Sequence, residues 1–164
     1  KVILLCGKIC CGKSYYVGQF RKQAEFVLLS CDEIMFDFAK NGFSEDFDVL
    51  VQKAKEYFYK KAVEVVRCGA DVVLDFGFWS SQERKQVSRY FAERNITYEW
   101  RYIDVSDEDW KKNIDERNKL VSEKKCDAYL MDEGLLNKLM AQFEQPTREE
   151  MDLWLTNKRG DTDL

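Results

Sequence analysis

The sequence holds no histidine and a single proline in 164 residues. Without histidine a zinc site loses its commonest partner. The six cysteines, Cys6, Cys10, Cys11, Cys31, Cys68 and Cys126, also lack the paired spacing of a zinc finger. They read as free thiols of a reducing cytosol, several of them in apolar runs where Cys packs as a small hydrophobe. One proline, no low-complexity run and no Gly/Ser linker give no sign of a domain boundary, so one domain over residues 1–164 is expected. No repeat of solenoid period is present.

Long apolar runs are missing too. Nothing approaches the roughly 20 residues that span a bilayer, and the opening run, Val2–Cys6, is shorter than the core of about 7–15 residues that a signal peptide needs. The chain begins at Lys1 without Met. Nor is there a basic excess: the net charge is −4, whereas nucleic-acid binders usually carry a basic stripe. Lys53, Lys55, Lys60 and Lys61 alternate with acids, the pattern of a solvated helix face. What is there, 45% hydrophobic and 34% charged residues, is the profile of a soluble globular chain with a real core.

Short apolar runs alternate with longer amphipathic ones. The pattern predicts strands at Val2–Cys6, Phe26–Ser30, Asp71–Asp75 and Tyr98–Asp104, with a fifth at Met151–Thr156. Helices are expected over Lys13–Ala24, Asp32–Lys40, Ser44–Cys68, Ser80–Arg94, Asp107–Ser122 and Met131–Phe143. Gly69 stops the long third helix, Ser106 caps the fifth, and Pro146 breaks the chain after the last. Continuous apolar strands between helices indicate an α/β fold with a mostly parallel sheet covered on both faces. Ligands then sit at the carboxyl ends of the strands.

Residues 7–14 read G-K-I-C-C-G-K-S, the pattern G-x-x-x-x-G-K-[ST] between a strand and a helix. Gly7 and Gly12 let the backbone turn and approach phosphate without a Cβ in the way. The N–H groups of Lys8, Ile9, Cys10, Cys11 and the following Lys13, Ser14 and Tyr15 are candidates to cradle the anion at the helix N-terminus. Lys13 is placed to reach the β and γ phosphates and the Ser14 hydroxyl to ligate magnesium, which makes ATP and Mg²⁺ the expected cofactors. Cys10 and Cys11 are read first as small side chains tolerated at variable positions. The alternative is redox control by thiols near Lys13 and a helix N-terminus, where a thiol pKa can be lowered.

Phosphoryl transfer to a hydroxyl needs an acceptor-side base and charge stabilisation. Asp32 follows strand two and is the candidate base, with a helix N-cap as its competing role. Asp75 ends strand three and is the candidate magnesium carboxylate, with a strand-ending turn residue as the alternative. Phe78 and Trp79, just beyond it, either line an acceptor pocket or pack the sheet edge. Arg84 either reaches the acceptor or is a helix-surface charge. Arg117 has no acid three or four positions away to pair with, so it is a candidate lid arginine for the developing phosphoryl charge.

Together these segments resemble the small AAA-type P-loop kinases, which include the kinase domains of polynucleotide 5′-kinases, zeta toxins and chloramphenicol phosphotransferases. The likeness is carried by G-K-I-C-C-G-K-S, L-S-C-D-E-I, V-V-L-D-F-G-F-W-S with a following E-R, I-D-V-S with D-E-R-N downstream, and F-E-Q-P-T-R-E-E. The resemblance implies a P-loop three-layer sandwich with strand order 2-3-1-4-5. It also implies Asp32 as hydroxyl-activating base, Arg117 as lid residue and an adenine site near the last strand. Met35 stands where polynucleotide kinases often carry the Arg of D-x-x-R. The reading is therefore a kinase for a small-molecule hydroxyl acceptor (a metabolite, nucleotide-like compound, sugar or antibiotic). A polynucleotide 5′-kinase, a non-catalytic nucleotide-binding module and a toxin acting on a sugar nucleotide are the alternatives.

Overall fold

The fold follows from the period-2 burial of its central strand, β1, Val2–Cys6. All five of its side chains are buried, and they alternate between two cores. Val2, Leu4 and Cys6 point into one, Ile3 and Leu5 into the other. At about 1.5–3 kcal/mol for each large side chain taken fully out of water, such a strand is a principal source of stability.

The coordinates are a computed structural model that describes residues 1–31, 47–126 and 130–156. The remaining strands are β2 (Val27–Ser30), β3 (Val72–Gly77), β4 (Tyr98–Asp104) and β5 (Leu153–Thr156). They form one five-stranded sheet in the order β2-β3-β1-β4-β5, and every pairing is parallel. The described helices are α1 (Lys13–Phe20), α2 (Phe47–Arg67), α3 (Ser81–Ala92), α4 (Asp107–Ser122) and α5 (Glu133–Met140). Side chains of α2 and α3, including Tyr59, Ala62, Val63, Val87 and Phe91, cover the Val2/Leu4 face. Tyr16 and Val17 of α1, with Trp110 of α4 at the margin, cover the Ile3/Leu5 face. The result is the expected three-layer α/β sandwich. No described helix is long and apolar enough to cross a membrane.

β1, β4 and α4 have the bounds the sequence predicts. The other elements differ from expectation by one to four residues at their described ends, α1, β3 and β5 among them. α1 ends at Phe20, and the chain beyond it tightens into turns in which Lys22 N and Gln23 N donate to Gln19 O and Phe20 O. β3 runs on through Phe76 to Gly77, past the expected end at Asp75, with a register shift opposite Leu5/Cys6. β5 starts at Leu153, after a one-turn 3₁₀ helix at Arg148–Glu150. The predicted helix Asp32–Lys40 and the start of the predicted helix from Ser44 lie outside the described residues, and so does Asp32.

Parallel pairing brings the ends of β1, β2, β3 and β4 to one edge of the sheet. Leu5 and Ser30 both sit in register with Asp75, so the loop after β1, the chain after β2 and the end of β3 converge there.

Candidate nucleotide site

The loop between β1 and α1 turns on two left-handed residues, Cys10 at φ 58° and Gly12 at φ 99°. Gly12 is the N-cap of α1 and offers no side-chain acceptor, so the first-turn N–H groups, which no helical carbonyl can reach, are not capped by a side chain. That is the arrangement in which a helix end receives an anion. At Gly7 a Cβ would come 2.5 Å from Cys11 Sγ and 3.1 Å from the Ile103 carbonyl, so the start of the loop has room only for glycine.

Lys13 folds back over the loop. Its Nζ lies 3.4 Å from both Gly7 O and Lys8 O. The charge is thereby held over the loop and not extended into solvent. Ser14 and Tyr15 are exposed at the start of α1. Asp75 is buried at the end of β3. The buried Cys11 thiol feels the charges of both Lys13 and Asp75. A hydroxyl from Ser14 and a carboxylate from Asp75 are hard oxygen donors, the type that suits Mg²⁺ shared with phosphate oxygens and water.

Burial pushes both Cys10 and Cys11 above the ordinary thiol value, more strongly than Arg117 lowers the first or Lys13 the second. Burial pushes Cys6 up to about 12 against the opposing fields of Arg84 and Lys13. The protonated thiol is a poor nucleophile, which favours the packing reading over redox control.

Helix α4 lies against the loop along one face. Trp110 Nε1 donates to Ile9 O at 2.7 Å, and Asn113 Nδ2 donates to Cys10 O at 3.1 Å. Arg117 Nη1 comes within 3.9 Å of Cys10 Sγ, and its Nε is buried with no hydrogen-bond partner among the described residues. Lys8 Nζ sits 4.3 Å from the centre of the Trp110 ring and 3.4 Å from Asp107 Oδ1. Asp107, Trp110, Asn113 and Arg117 thus recur at helical spacing. Beyond Arg117, the Asn118 amide makes a two-way clamp to Met131, with Nδ2 to Met131 O at 2.8 Å and Met131 N to Oδ1 at 2.7 Å. It closes the base of the excursion between α4 and α5.

The expected acceptor residues are placed differently. Phe78 is fully buried, with its backbone at φ 48°, and it packs edge-on to Trp100 at 5.0 Å and near Phe76 at 5.6 Å. It is a core residue, buried in the cluster on the Val2/Leu4 face of the sheet. Trp79 sits against the phosphate loop, donating from Nε1 to Gly7 O at 3.1 Å. Arg84 is buried at 3% exposure, and its guanidinium is engaged on every side. Nε and Nη2 bind Glu150, while Nη1 donates to the carbonyls of Phe78, Trp79 and Glu144. A side chain so committed is a framework staple and has no fork left for an acceptor, which corrects the expectation from sequence. A cavity of about 600 Å³ lies between α2 and α3, lined by Lys55, Tyr59, Ser80, Glu83 and Tyr90 among others and by no residue of the phosphate loop.

Sequence reading missed Trp110, Asn113, Glu144 and Glu150. The first two share the helical face of Arg117, which is the signal that would have found them. The others fall within the F-E-Q-P-T-R-E-E segment, where no spacing rule links them to Arg84.

A phosphate-cradling loop between the first strand and first helix of a parallel 2-3-1-4-5 sheet defines the P-loop nucleotide-binding class. The family model described as an AAA domain matches residues 2–146, and the chain belongs to that family. No curated protein matches the chain. Among solved structures it resembles the Mycobacterium tuberculosis APS kinase CysC, in complex with AMPPNP and APS, at 16% identity and TM-score 0.66, over 98% of this chain and 90% of that one. Chaetomium thermophilum Kti12, in complex with ADP-AlF3, is similar at 14% identity and TM-score 0.62, over 98% and 90%. A gluconokinase from Sinorhizobium meliloti 1021 is similar at 12% identity and TM-score 0.57, over 94% and 80%. At these identities the likeness is one of fold.

Proposed function

We propose that this protein is a phosphotransferase that moves the γ-phosphoryl group of ATP to the hydroxyl of a small-molecule acceptor. One observation carries the reading. Two cations approach the same loop from opposite sides in sequence: Lys13 folds over it from α1, and Arg117 reaches Cys10 from α4. A loop that only anchored a nucleotide would need the first. The second suits charge that develops on the transferring phosphoryl group, where an arginine is typically worth about 10³–10⁵ in rate.

In this reaction the bond from Pγ to the β–γ bridging oxygen breaks and a bond from Pγ to the acceptor oxygen forms. The proton of the acceptor hydroxyl passes to the Asp32 carboxylate, and ADP is released. Asp32 is assigned this role because it stands two positions beyond Ser30, the β2 residue in register with Asp75. The Ser14 hydroxyl would hold magnesium, with the Asp75 carboxylate behind it, and the ion would supply positive charge to the phosphoryl oxygens. Lys13 supplies a point charge to the same oxygens, and the α1 N-terminus supplies fixed N–H donors. The adenine is assigned to the side of β5. Comparison with the structural neighbours supports the choice of a small acceptor, since the APS kinase is bound to APS and the gluconokinase is named for its sugar acid. The net charge of −4 agrees with it.

The test is a transfer screen with γ-³²P-ATP and magnesium across sugars, nucleotide-like metabolites, antibiotics and 5′-hydroxyl oligonucleotides. The expected result is label on a small molecule. Label on oligonucleotides alone would make the protein a polynucleotide kinase. ATP binding with no acceptor labelled would favour a regulatory nucleotide-binding module.

A further inference from the structure

Four consecutive carbonyls of the phosphate loop are held by donors. Gly7 O accepts from Trp79 Nε1 at 3.1 Å, and Lys8 O accepts from Cys11 N at 3.3 Å. Ile9 O accepts from Trp110 Nε1 at 2.7 Å, and Cys10 O accepts from Asn113 Nδ2 at 3.1 Å. Two of these four donors come from α4, more than a hundred residues away in the chain. The loop needs such holding. Cys10 is a non-glycine residue at φ 58°, a conformation that costs about 1–2 kcal/mol for an L-residue. It persists only where its surroundings over-determine it.

The consequence follows from peptide geometry. In a planar trans peptide the N–H points away from the C=O. Fixing Ile9 O toward Trp110 therefore turns the Cys10 N–H away from α4. A loop free to flip this peptide would present a carbonyl oxygen in its place, which repels phosphate.

We propose that Trp110 and Asn113 are positioning residues of the nucleotide site. By binding the carbonyls of Ile9 and Cys10 they hold the loop in its phosphate-receiving form; the Trp110 bond, through the Ile9–Cys10 peptide, aims the Cys10 N–H at the triphosphate, and the Asn113 bond fixes the next peptide, whose Cys11 N–H closes the turn on Lys8 O. They also tie the loop to the helix that carries Arg117, so the seating of α4 and the binding of phosphate are coupled. This inference rests on the nucleotide reading above.

The test uses the full chain, as wild type, Trp110→Phe, Asn113→Ala and Lys112→Ala. Trp110→Phe keeps an aromatic ring beside Lys8 and removes only the N–H donor. Lys112 is exposed on α4 and bonds to Glu108, so its variant is the control. MgATP affinity is measured by calorimetry, and the amide spectrum is recorded on protein labelled with ¹⁵N-cysteine, with and without MgATP. Each of the two positioning variants is expected to weaken MgATP by about 2- to 10-fold, the range for one net hydrogen bond. The Cys10 amide signal should shift on MgATP addition in wild type and in Lys112→Ala. In both positioning variants it should already be displaced before nucleotide is added, while the signal of exposed Cys68 stays in place. Unchanged affinity in Trp110→Phe and Asn113→Ala would overturn the inference. So would a Cys10 amide in wild type that ignores MgATP. If Trp110→Phe does not fold, Asn113→Ala decides alone. A wild type that binds no MgATP would remove the nucleotide reading first, and this inference with it.

Discussion

Arg84 and Glu150, 66 residues apart in the chain, form a two-bond ion pair, Nε to Oε1 and Nη2 to Oε2, both at 3.2 Å. The pair joins the start of α3 to the turn before β5. Because Arg84 Nη1 also binds the Phe78, Trp79 and Glu144 carbonyls, it fixes the segment that places Trp79 on the phosphate loop. Arg84→Ala would leave Glu150 with its own turn and remove one donor from each of three carbonyls, of which Trp79 O keeps Glu144 N and Phe78 O keeps Cys6 Sγ. A loss of about 1–3 kcal/mol is expected, the cost of removing hydrogen bonds from buried polar groups, since Glu150 itself is partly exposed. Urea unfolding of the variant checks it. A loss below 1 kcal/mol, roughly the worth of an exposed pair, would mean the staple contributes little.

Acid should destabilise the fold through two carboxyls. Burial raises the pKa of Glu150, but Arg84 and the Thr147 backbone more than offset this and leave it below its ordinary value of 4.5. Burial likewise acts against Glu99, which Lys1 and Arg101 bring below 4.5. A carboxyl with a lower pKa in the fold binds fewer protons there than when unfolded. Its contribution is complete above about 4.5 and drains away as the pH falls through the lower folded value. Unfolding curves between neutral pH and pH 3 should therefore steepen below about 4.5, and Glu99→Gln with Glu150→Gln should flatten that part of the profile. An unchanged slope in the double variant would contradict the assignment.

Gly7→Ala should damage the loop from its first residue. The added Cβ meets Cys11 Sγ at 2.5 Å and the Ile103 carbonyl at 3.1 Å, and the second of these is backbone that cannot rotate aside. Overpacking of this kind costs about 1–3 kcal/mol. Adding Cys11→Ala removes the nearer contact and should restore part of the stability but not all, as a melting series would show. Full restoration would mean the strand-to-loop spacing tolerates the methyl.

The architecture was legible because its signals are local and periodic. β1 is a continuous apolar run, β4 alternates aromatic with charged residues before Ile103, and α4 has a serine cap, Ser106, whose Oγ accepts from Asp109 N at 3.1 Å. The phosphate loop was legible because each fixed position answers a steric or charge demand within eight residues. The rest depends on partners remote in sequence. Arg84 reads as a surface charge in S-S-Q-E-R-K, and only Glu150 and three carbonyls make it a buried hub. Phe78 reads equally as a pocket or a packing aromatic, and only its contact with the remote Trp100 places it in the core. Trp110 and Asn113 bind backbone carbonyls, which leave no side-chain pattern to search for.

Asp32→Asn should leave ATP affinity nearly intact and lower transfer to an identified acceptor by about 10²–10⁴-fold, the usual contribution of a general base. Asparagine caps a helix as well as aspartate, so a residue acting only as an N-cap would leave the variant fully active. Steady-state rates at saturating ATP distinguish the two. Full activity would move the acceptor-side role to Asp75.

Phosphoryl transfer is proposed to run through the loop that Lys13 covers. The most direct measurement compares γ-³²P transfer to the identified acceptor by wild type and by Lys13→Ala, each shown by its melting curve to be folded. Backbone N–H groups can still hold phosphate in the variant but cannot replace the point charge on the β and γ oxygens. The predicted result is labelled product with wild type and none above background with Lys13→Ala. Product formed by Lys13→Ala at the wild-type rate would show that this loop is not the catalytic phosphate site.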